Sequence, residues 1–134
     1  MPGLKSPART TLAVLALAAG LGGCYLRDDR PIHAITGAML LDGTPNVPIA
    51  DAVVVVYGGK IVALGPAGQV RVPADAQRVD VPGRFLYPLN PEEPLRVGGP
   101  ADLIVCAVNP ARDPEYPGKV VGRMEEDRWT QTPH

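Results

Sequence analysis

The stretch that decides the fold is Ala52-Val-Val-Val-Val-Tyr57, followed by Gly58-Gly59 and then by Lys60-Ile-Val-Ala-Leu64. Both runs are rich in β-branched residues, which favour strands. Glycine accepts the positive φ that two-residue hairpin turns require, so Gly58-Gly59 predicts a tight turn. We therefore expect an antiparallel hairpin over residues 52–64, whose Val-rich strands need a covering sheet.

Further short apolar runs, separated by turn residues, lie on both sides of this hairpin. Prolines and glycines recur every few residues and helix signals are few, which is typical of strands joined by turns. The predicted strands cover residues 32–41, 77–81, 84–87, 102–108 and 119–124, with a last short one at Trp129. Pro82-Gly83 is expected to join 77–81 and 84–87 into a second pair. The predicted fold class is all-β, with short antiparallel and mixed strands.

The N-terminus has the pattern of an export signal. Lys5 and Arg9 supply positive charge, and residues 11–21 form an apolar stretch that is too short to span a bilayer as a helix. It ends on Leu21-Gly-Gly-Cys24, which resembles the bacterial lipobox and predicts lipidation of Cys24. An ordinary secretory signal that happens to contain a cysteine is the alternative.

The predicted domains are a lipoprotein signal peptide at 1–23, a lipidated cysteine and charged tether at 24–30, and a folded body at 31–134. Acyl chains on Cys24 would anchor the protein to membrane lipid without spanning the bilayer. Tyr25 follows the cysteine, and a residue other than aspartate there resembles cargo sorted to the outer membrane. We therefore expect the bacterial cell envelope, at the periplasmic face of the outer membrane.

Charge and cysteine content exclude several classes of function. Cleavage before Cys24 would leave 111 residues with 11 basic and 14 acidic side chains, a net charge of −3. This balance gives no basic field for nucleic acid and no polybasic patch for anionic lipid. The chain can bury one modest core, so one domain is expected. Lipidation would use Cys24, which leaves Cys106 as a buried thiol in an apolar strand and no internal disulfide.

Several segments, taken in order, resemble the amidohydrolase superfamily of metal-dependent hydrolases. They are Gly37-Ala-Met-Leu-Leu-Asp-Gly-Thr44, the Val-rich hairpin through Lys60-Ile-Val-Ala-Leu-Gly-Pro66, Val81-Pro-Gly-Arg-Phe-Leu-Tyr-Pro88 and Gly99-Pro-Ala-Asp-Leu-Ile-Val105. The resemblance covers roughly residues 35–88 and 95–130. It implies a small composite β-sandwich built from both chain ends, which in the family packs beside a (β/α)₈ barrel holding one or two metals.

The sequence departs from that family where the chemistry would begin. After Pro88 the family would show Pro-Gly-Leu-Ile-Asp and a His-x-His pair, whereas this chain reads Leu89-Asn-Pro-Glu-Glu-Pro94 and has only about ten residues before Gly99. Metal-assisted hydrolysis needs several ligands and an open coordination position. The histidines are His33 and His134, each interpreted as an exposed polar residue. We therefore predict no catalytic residue, no metal site and no cofactor, and a chain that is inactive alone.

Other polar features are better explained by structure than by catalysis. Asp102 is expected to start a strand, and the acidic clusters at 28–29, 92–93 and 125–127 are expected to be solvated turns. Gly58-Gly59 lacks the strand, loop and helix of a phosphate cradle. The apolar surroundings expected for Cys106 argue against a reactive thiolate.

Three hypotheses about function remain. The first is a membrane-anchored lipoprotein whose non-catalytic β-sandwich acts as a structural or partner-binding module. The second is one part of a hydrolase acting on non-peptide carbon–nitrogen bonds, with the metal-binding barrel supplied by another chain. The third is a truncated or decayed amidohydrolase gene product. In each case the missing barrel predicts an exposed apolar face near residues 89–99, which would favour self-association or a barrel-bearing partner.

Overall fold

The computed structural model describes residues 30–134, which form an all-β domain, as the sequence predicts. The predictions for the signal peptide and Cys24 lie outside these residues. No helix within residues 30–134 is long and apolar enough to cross a membrane. The eight strands are β1 (His33–Leu40), β2 (Ile49–Tyr57), β3 (Lys60–Pro66), β4 (Gln77–Asp80), β5 (Phe85–Pro88), β6 (Leu103–Cys106), β7 (Val120–Glu125) and β8 (Arg128–Gln131). Two short 3-10 turns, Ala67–Gln69 and Tyr116–Lys119, lie in connections.

The predicted hairpin is confirmed. Strands β2 and β3 pair antiparallel, with Tyr57 opposite Lys60 at the turn. Gly58 has a φ of 64° and Gly59 a φ of 81°, the positive values that a primed two-residue turn requires. The last predicted strands are also present, because β7 and β8 pair around Met124 and Trp129.

All eight strands belong to one sheet, in the order β3-β2-β1-β5-β6-β7-β8, with β4 also beside β1. Strand β1 pairs in parallel with β4 along its first half and with β5 along its second half. The prediction that Pro82-Gly83 joins a short hairpin is therefore wrong. The amide of Val81 donates to the carbonyl of Thr36, and the amide of Met39 donates to the carbonyl of Arg84. The Pro82-Gly83 turn connects β4 to β5 without folding them against each other, and each of these short strands instead pairs with the longer strand β1.

A bulge at Gly37 marks the place where β1 changes partners. The register between β1 and β2 shifts between Thr36 and Ala38, and Gly37 has a φ of 89°. A Cβ at this position would lie 2.5 Å from Oδ1 of Asp80, which also accepts a 3.0 Å hydrogen bond from Oγ1 of Thr36. Glycine is required here by both the backbone conformation and the close approach.

One core fills the space enclosed by the sheet. It is made of buried side chains from β1, β2, β3, β5, β6 and β7 and from the loops between them. Its members are Ile35, Ala38, Leu40, Ala52, Val54, Val56, Ile61, Val81, Leu86, Leu95, Ala101, Leu103, Val105, Val121 and Met124. The sheet is curved, so that the segment before β6 meets the β2–β3 turn. The amide of Ala101 donates a hydrogen bond to the carbonyl of Gly59 at this contact.

The other face of the Val-rich strands is covered as well. Strands β3 and β4 lie on opposite sides of β2 and β1, so the connection over residues 67–76 must cross this pair. Gly65 is opposite Val53, and Cγ2 of Val70 lies 3.2 Å from where a Cβ on Gly65 would stand. The crossing segment therefore covers the face that carries Val53, which explains why the run at 53–56 is buried on both sides.

Candidate functional site

The segment that ends at Pro88 and the segment that begins at Gly99 contribute two strands that pair directly with each other. Strands β5 and β6 are antiparallel neighbours, with Leu86 opposite Val105 and Pro88 opposite Leu103. Residues 89–102 connect them. The two strands, separated in the sequence by this loop, are thus adjacent in one sheet.

The connecting loop is tied to the rest of the domain through its backbone. The amide of Leu95 donates to the carbonyl of Asp42 at 2.9 Å, and the amide of Gly98 donates to the carbonyl of Ile61 at 2.7 Å. Leu95 is only 5% exposed and belongs to the core, whereas Val97 is 57% exposed. The loop therefore contributes Leu95 to the core and leaves Val97 exposed, and the exposed apolar face expected at the junction stays a prediction.

His33 is buried, which corrects the interpretation of an exposed histidine. It stands opposite Val56 across the β1–β2 ladder and is 7% exposed. Directly opposed residues of an antiparallel pair share a face, and Val56 belongs to the core, so His33 lies on the core side. The alternation of His33 with Ile35 along β1 carried this signal, since residues two apart in a strand share a face. His134 lies at the surface, where its carbonyl accepts a 3.1 Å hydrogen bond from Arg84.

Three nitrogen atoms in the described part of the chain are buried without a hydrogen-bond partner. They are Nδ1 and Nε2 of His33 and Nε1 of Trp129. Buried polar atoms are normally paired, so these unpaired nitrogens lower the free energy of unfolding of the domain. Neither ring is hydrogen-bonded to a carboxylate or a hydroxyl within residues 30–134.

The carboxylates have the structural roles that the sequence predicts. Oδ1 of Asp102 accepts the amide of Glu126 at 2.7 Å, which ties the start of β6 to the β7–β8 turn. Glu92 and Glu93 are exposed in the junction loop, and Glu125 and Glu126 are exposed at the β7–β8 turn. The pair at 28–29 lies outside the described residues.

Asp42 organises the turn that follows β1. Its carboxylate accepts hydrogen bonds from the amide and hydroxyl of Thr44 and from Nδ2 of Asn46. Partial burial alone would raise the pKa of Asp42, but the hydrogen bonds from Thr44 and Asn46 outweigh it and hold this pKa below its ordinary value. The charged form of Asp42 therefore stabilises this turn.

Cys106 is a buried free thiol in β6, as the sequence predicts. Burial raises its pKa to about 11. The thiol is therefore protonated near neutral pH, which is the inert state for nucleophilic attack and metal binding.

Three clefts in the described part of the surface have volumes of about 210, 240 and 300 Å³. Among residues 30–134, no group of three or more His, Cys, Asp or Glu side chains is placed to hold a metal ion. One cleft beside the Gly37 bulge has a volume of about 210 Å³ and is lined mainly by Met39, Ala50, Asp51, Arg84 and Phe85. Small-molecule pockets usually measure about 300–1,000 Å³, so this cleft is below the common range.

No protein-family model matches this chain, and no curated protein matches it. Similar solved structures include a candidate prolidase from Bifidobacterium longum, 22% identical over 43% of this chain and 15% of that chain, with a TM-score of 0.40. They also include molinate hydrolase, 27% identical over 47% of this chain and 14% of that chain, with a TM-score of 0.41. In both cases the match spans about one seventh of the length of the solved chain.

Proposed function

We propose that this protein is a lipid-anchored, non-catalytic β-domain of amidohydrolase type, which serves as a structural or partner-binding module in the bacterial cell envelope. The lipid anchor is acylated Cys24, and the periplasmic face of the outer membrane is the proposed location. The amidohydrolase character rests on the ordered sequence segments from Gly37 to Val105.

The observation that carries this proposal is the short connection between the paired strands β5 and β6. In the family that the sequence resembles, the barrel is inserted between these two segments in the sequence, while the segments themselves belong to one β-sandwich. Here only residues 89–102 join the paired strands, and this short loop contributes Leu95 to the core. The loop is thus tied into the fold through Leu95, and this supports a domain that does not depend on a barrel for its stability.

The chemistry of the buried groups supports a non-catalytic role. The thiol of Cys106 is protonated near neutral pH because its pKa is about 11. His33 is held in the core, and no carboxylate of residues 30–134 is hydrogen-bonded to either ring nitrogen to orient it as a base. A hydrolytic site requires convergent groups, and these two side chains do not form one.

The test is a hydrolase assay on the purified lipidated protein. The protein is supplied with Zn²⁺ or Mn²⁺ and with N-acyl amino acids, cyclic amides and lactones as substrates. We expect turnover no faster than in buffer containing the same metal. Turnover that chelation abolishes, and that readdition of the metal restores, would overturn the non-catalytic assignment.

A further inference from the structure

The chain enters the folded domain beside the β2–β3 turn. Nη1 and Nη2 of Arg30 each lie 3.5 Å from where a Cβ on Gly58 would stand, and the guanidinium of Arg30 lies 5.5 Å from the centre of the Tyr57 ring. The β7–β8 turn is at the same end of the domain, because Cβ of Glu126 lies 3.6 Å from the corresponding position on Gly59. We call this end, formed by residues 30, 57–60 and 125–128, the proximal end.

Only a short length of chain separates the proximal end from the proposed lipid anchor. Six Cα–Cα steps join Cys24 to Arg30. Even a fully extended chain of that length reaches no more than about 22 Å. Any surface to which Cys24 is fixed must therefore lie within that distance of Arg30.

The opposite end of the domain is too far away to share this position. Strand β1 leaves the proximal end at His33 and runs for eight residues to Leu40. At about 3.3 Å per residue it carries the chain roughly 23 Å away. The turn that follows holds Val47, which is 84% exposed. We call this turn, residues 41–48, the distal end.

We propose, on the basis of the lipid anchor under Proposed function, that the proximal end faces the lipid bilayer and the distal end points away from it. The partner of the proximal end is thus a lipid surface. A protein partner would find the distal end and the sides of the domain accessible.

The charges at the proximal end indicate what sets this orientation. Three basic side chains, Arg30, Lys60 and Arg128, stand with three acidic ones, Glu125, Glu126 and Asp127. Their formal charges cancel, so this end has no net attraction to anionic lipid. The short tether, rather than charge, therefore keeps the proximal end near the bilayer, and the orientation should be the same on neutral and on anionic bilayers.

The experiment compares two labelled positions on the lipidated protein. Lys60→Cys places a fluorophore at the proximal end, and Val47→Cys, its matched control, places one at the distal end. Both residues are exposed, whereas Cys106 is buried and is spared by mild labelling. Each protein is reconstituted into phosphatidylcholine vesicles, with or without phosphatidylglycerol, that contain a lipid with a spin-labelled headgroup.

We expect several-fold stronger quenching at position 60 than at position 47, on both kinds of vesicle. Equal quenching at the two positions, or stronger quenching at 47, on vesicles that retain the protein would overturn the orientation while leaving the anchor in place. Stronger quenching at position 60 only on vesicles that contain phosphatidylglycerol would show that charge, and not the tether, causes the orientation. A protein with a wild-type Cys24 that does not remain with any vesicle would instead overturn the anchor, and with it the orientation.

Discussion

The main-chain amide of Leu95 donates a 2.9 Å hydrogen bond to the carbonyl of Asp42, which ties the junction loop to the end of β1. The side chain of Leu95 is buried and belongs to the core that both halves of the sheet share. A contact between positions 42 and 95 thus joins the loop between β5 and β6 to the turn that follows β1.

Leu95→Ala should destabilise the domain by about 2–5 kcal/mol, because it removes a buried side chain and leaves a cavity. Val97→Ala in the same loop should change the free energy of unfolding by less than about 0.5 kcal/mol, since Val97 is exposed. Urea unfolding followed by circular dichroism measures both. Equal effects of the two substitutions would mean that the loop does not contribute to the core.

Gly37→Ala should also destabilise the domain, by more than about 1 kcal/mol, because the new Cβ would meet Oδ1 of Asp80 at a φ of 89°. Gly68→Ala is the matched control, since no atom lies within 4 Å of where its Cβ would stand. Thermal unfolding of the two variants gives the comparison. A Gly37→Ala protein as stable as the Gly68→Ala protein would show that the bulge is not fixed as described.

The parts of the fold that local sequence determines could be predicted, and the parts that depend on distant partners could not. The β2–β3 hairpin follows from Val-rich runs around Gly58-Gly59, all within one short stretch. The strands on either side of Pro82-Gly83 could pair with each other or line up along β1. Hydrogen bonds from Val81 to Thr36 and from Met39 to Arg84 decide for β1, and neither is visible from the local pattern.

The site shows the same division. The protonated state of Cys106 could be predicted from the apolar residues around it in the sequence. The burial of His33 could also have been predicted from the sequence, since Ile35, two residues later, lies on the same face of β1 and is buried. The contact of the 89–102 loop with the turn after β1 could not be predicted from the sequence, because nothing near Leu95 in the sequence indicates a hydrogen bond to Asp42.

Acid should weaken the contribution of Asp42 to stability. The folded-state pKa of Asp42 is lowered, so its contribution is fully present above the unfolded-state pKa of about 3.9 and is lost as the pH falls through the folded value. Asp42→Asn keeps a side-chain acceptor but removes the charge. The difference in unfolding free energy between wild type and Asp42→Asn should therefore be largest above about pH 5 and shrink below about pH 3. Chemical denaturation across this range measures it, and a difference that stays constant would contradict the assigned hydrogen bonds.

The thiol of Cys106 should react slowly with iodoacetamide in the folded protein, because it is buried and its pKa is about 11. In a Cys24→Ser background, adding Val47→Cys supplies an exposed thiol as the control. We expect position 47 to be alkylated rapidly near pH 8 and Cys106 only after denaturant is added, as read by mass spectrometry of the peptides. Comparable native rates at both positions would refute the buried, protonated thiol.

Cys24→Ser should remove the protein from the membrane, because acyl chains on Cys24 are the proposed anchor. We expect the variant to stay as an unprocessed precursor or to appear in the soluble fraction, while the wild type is processed and sediments with membranes. Inhibition of lipoprotein processing in wild-type cells should likewise leave the precursor. Cys106→Ala is the matched control and should fractionate like the wild type, since this thiol is buried in β6. A processed Cys24→Ser protein that still sediments with membranes would refute the lipid anchor.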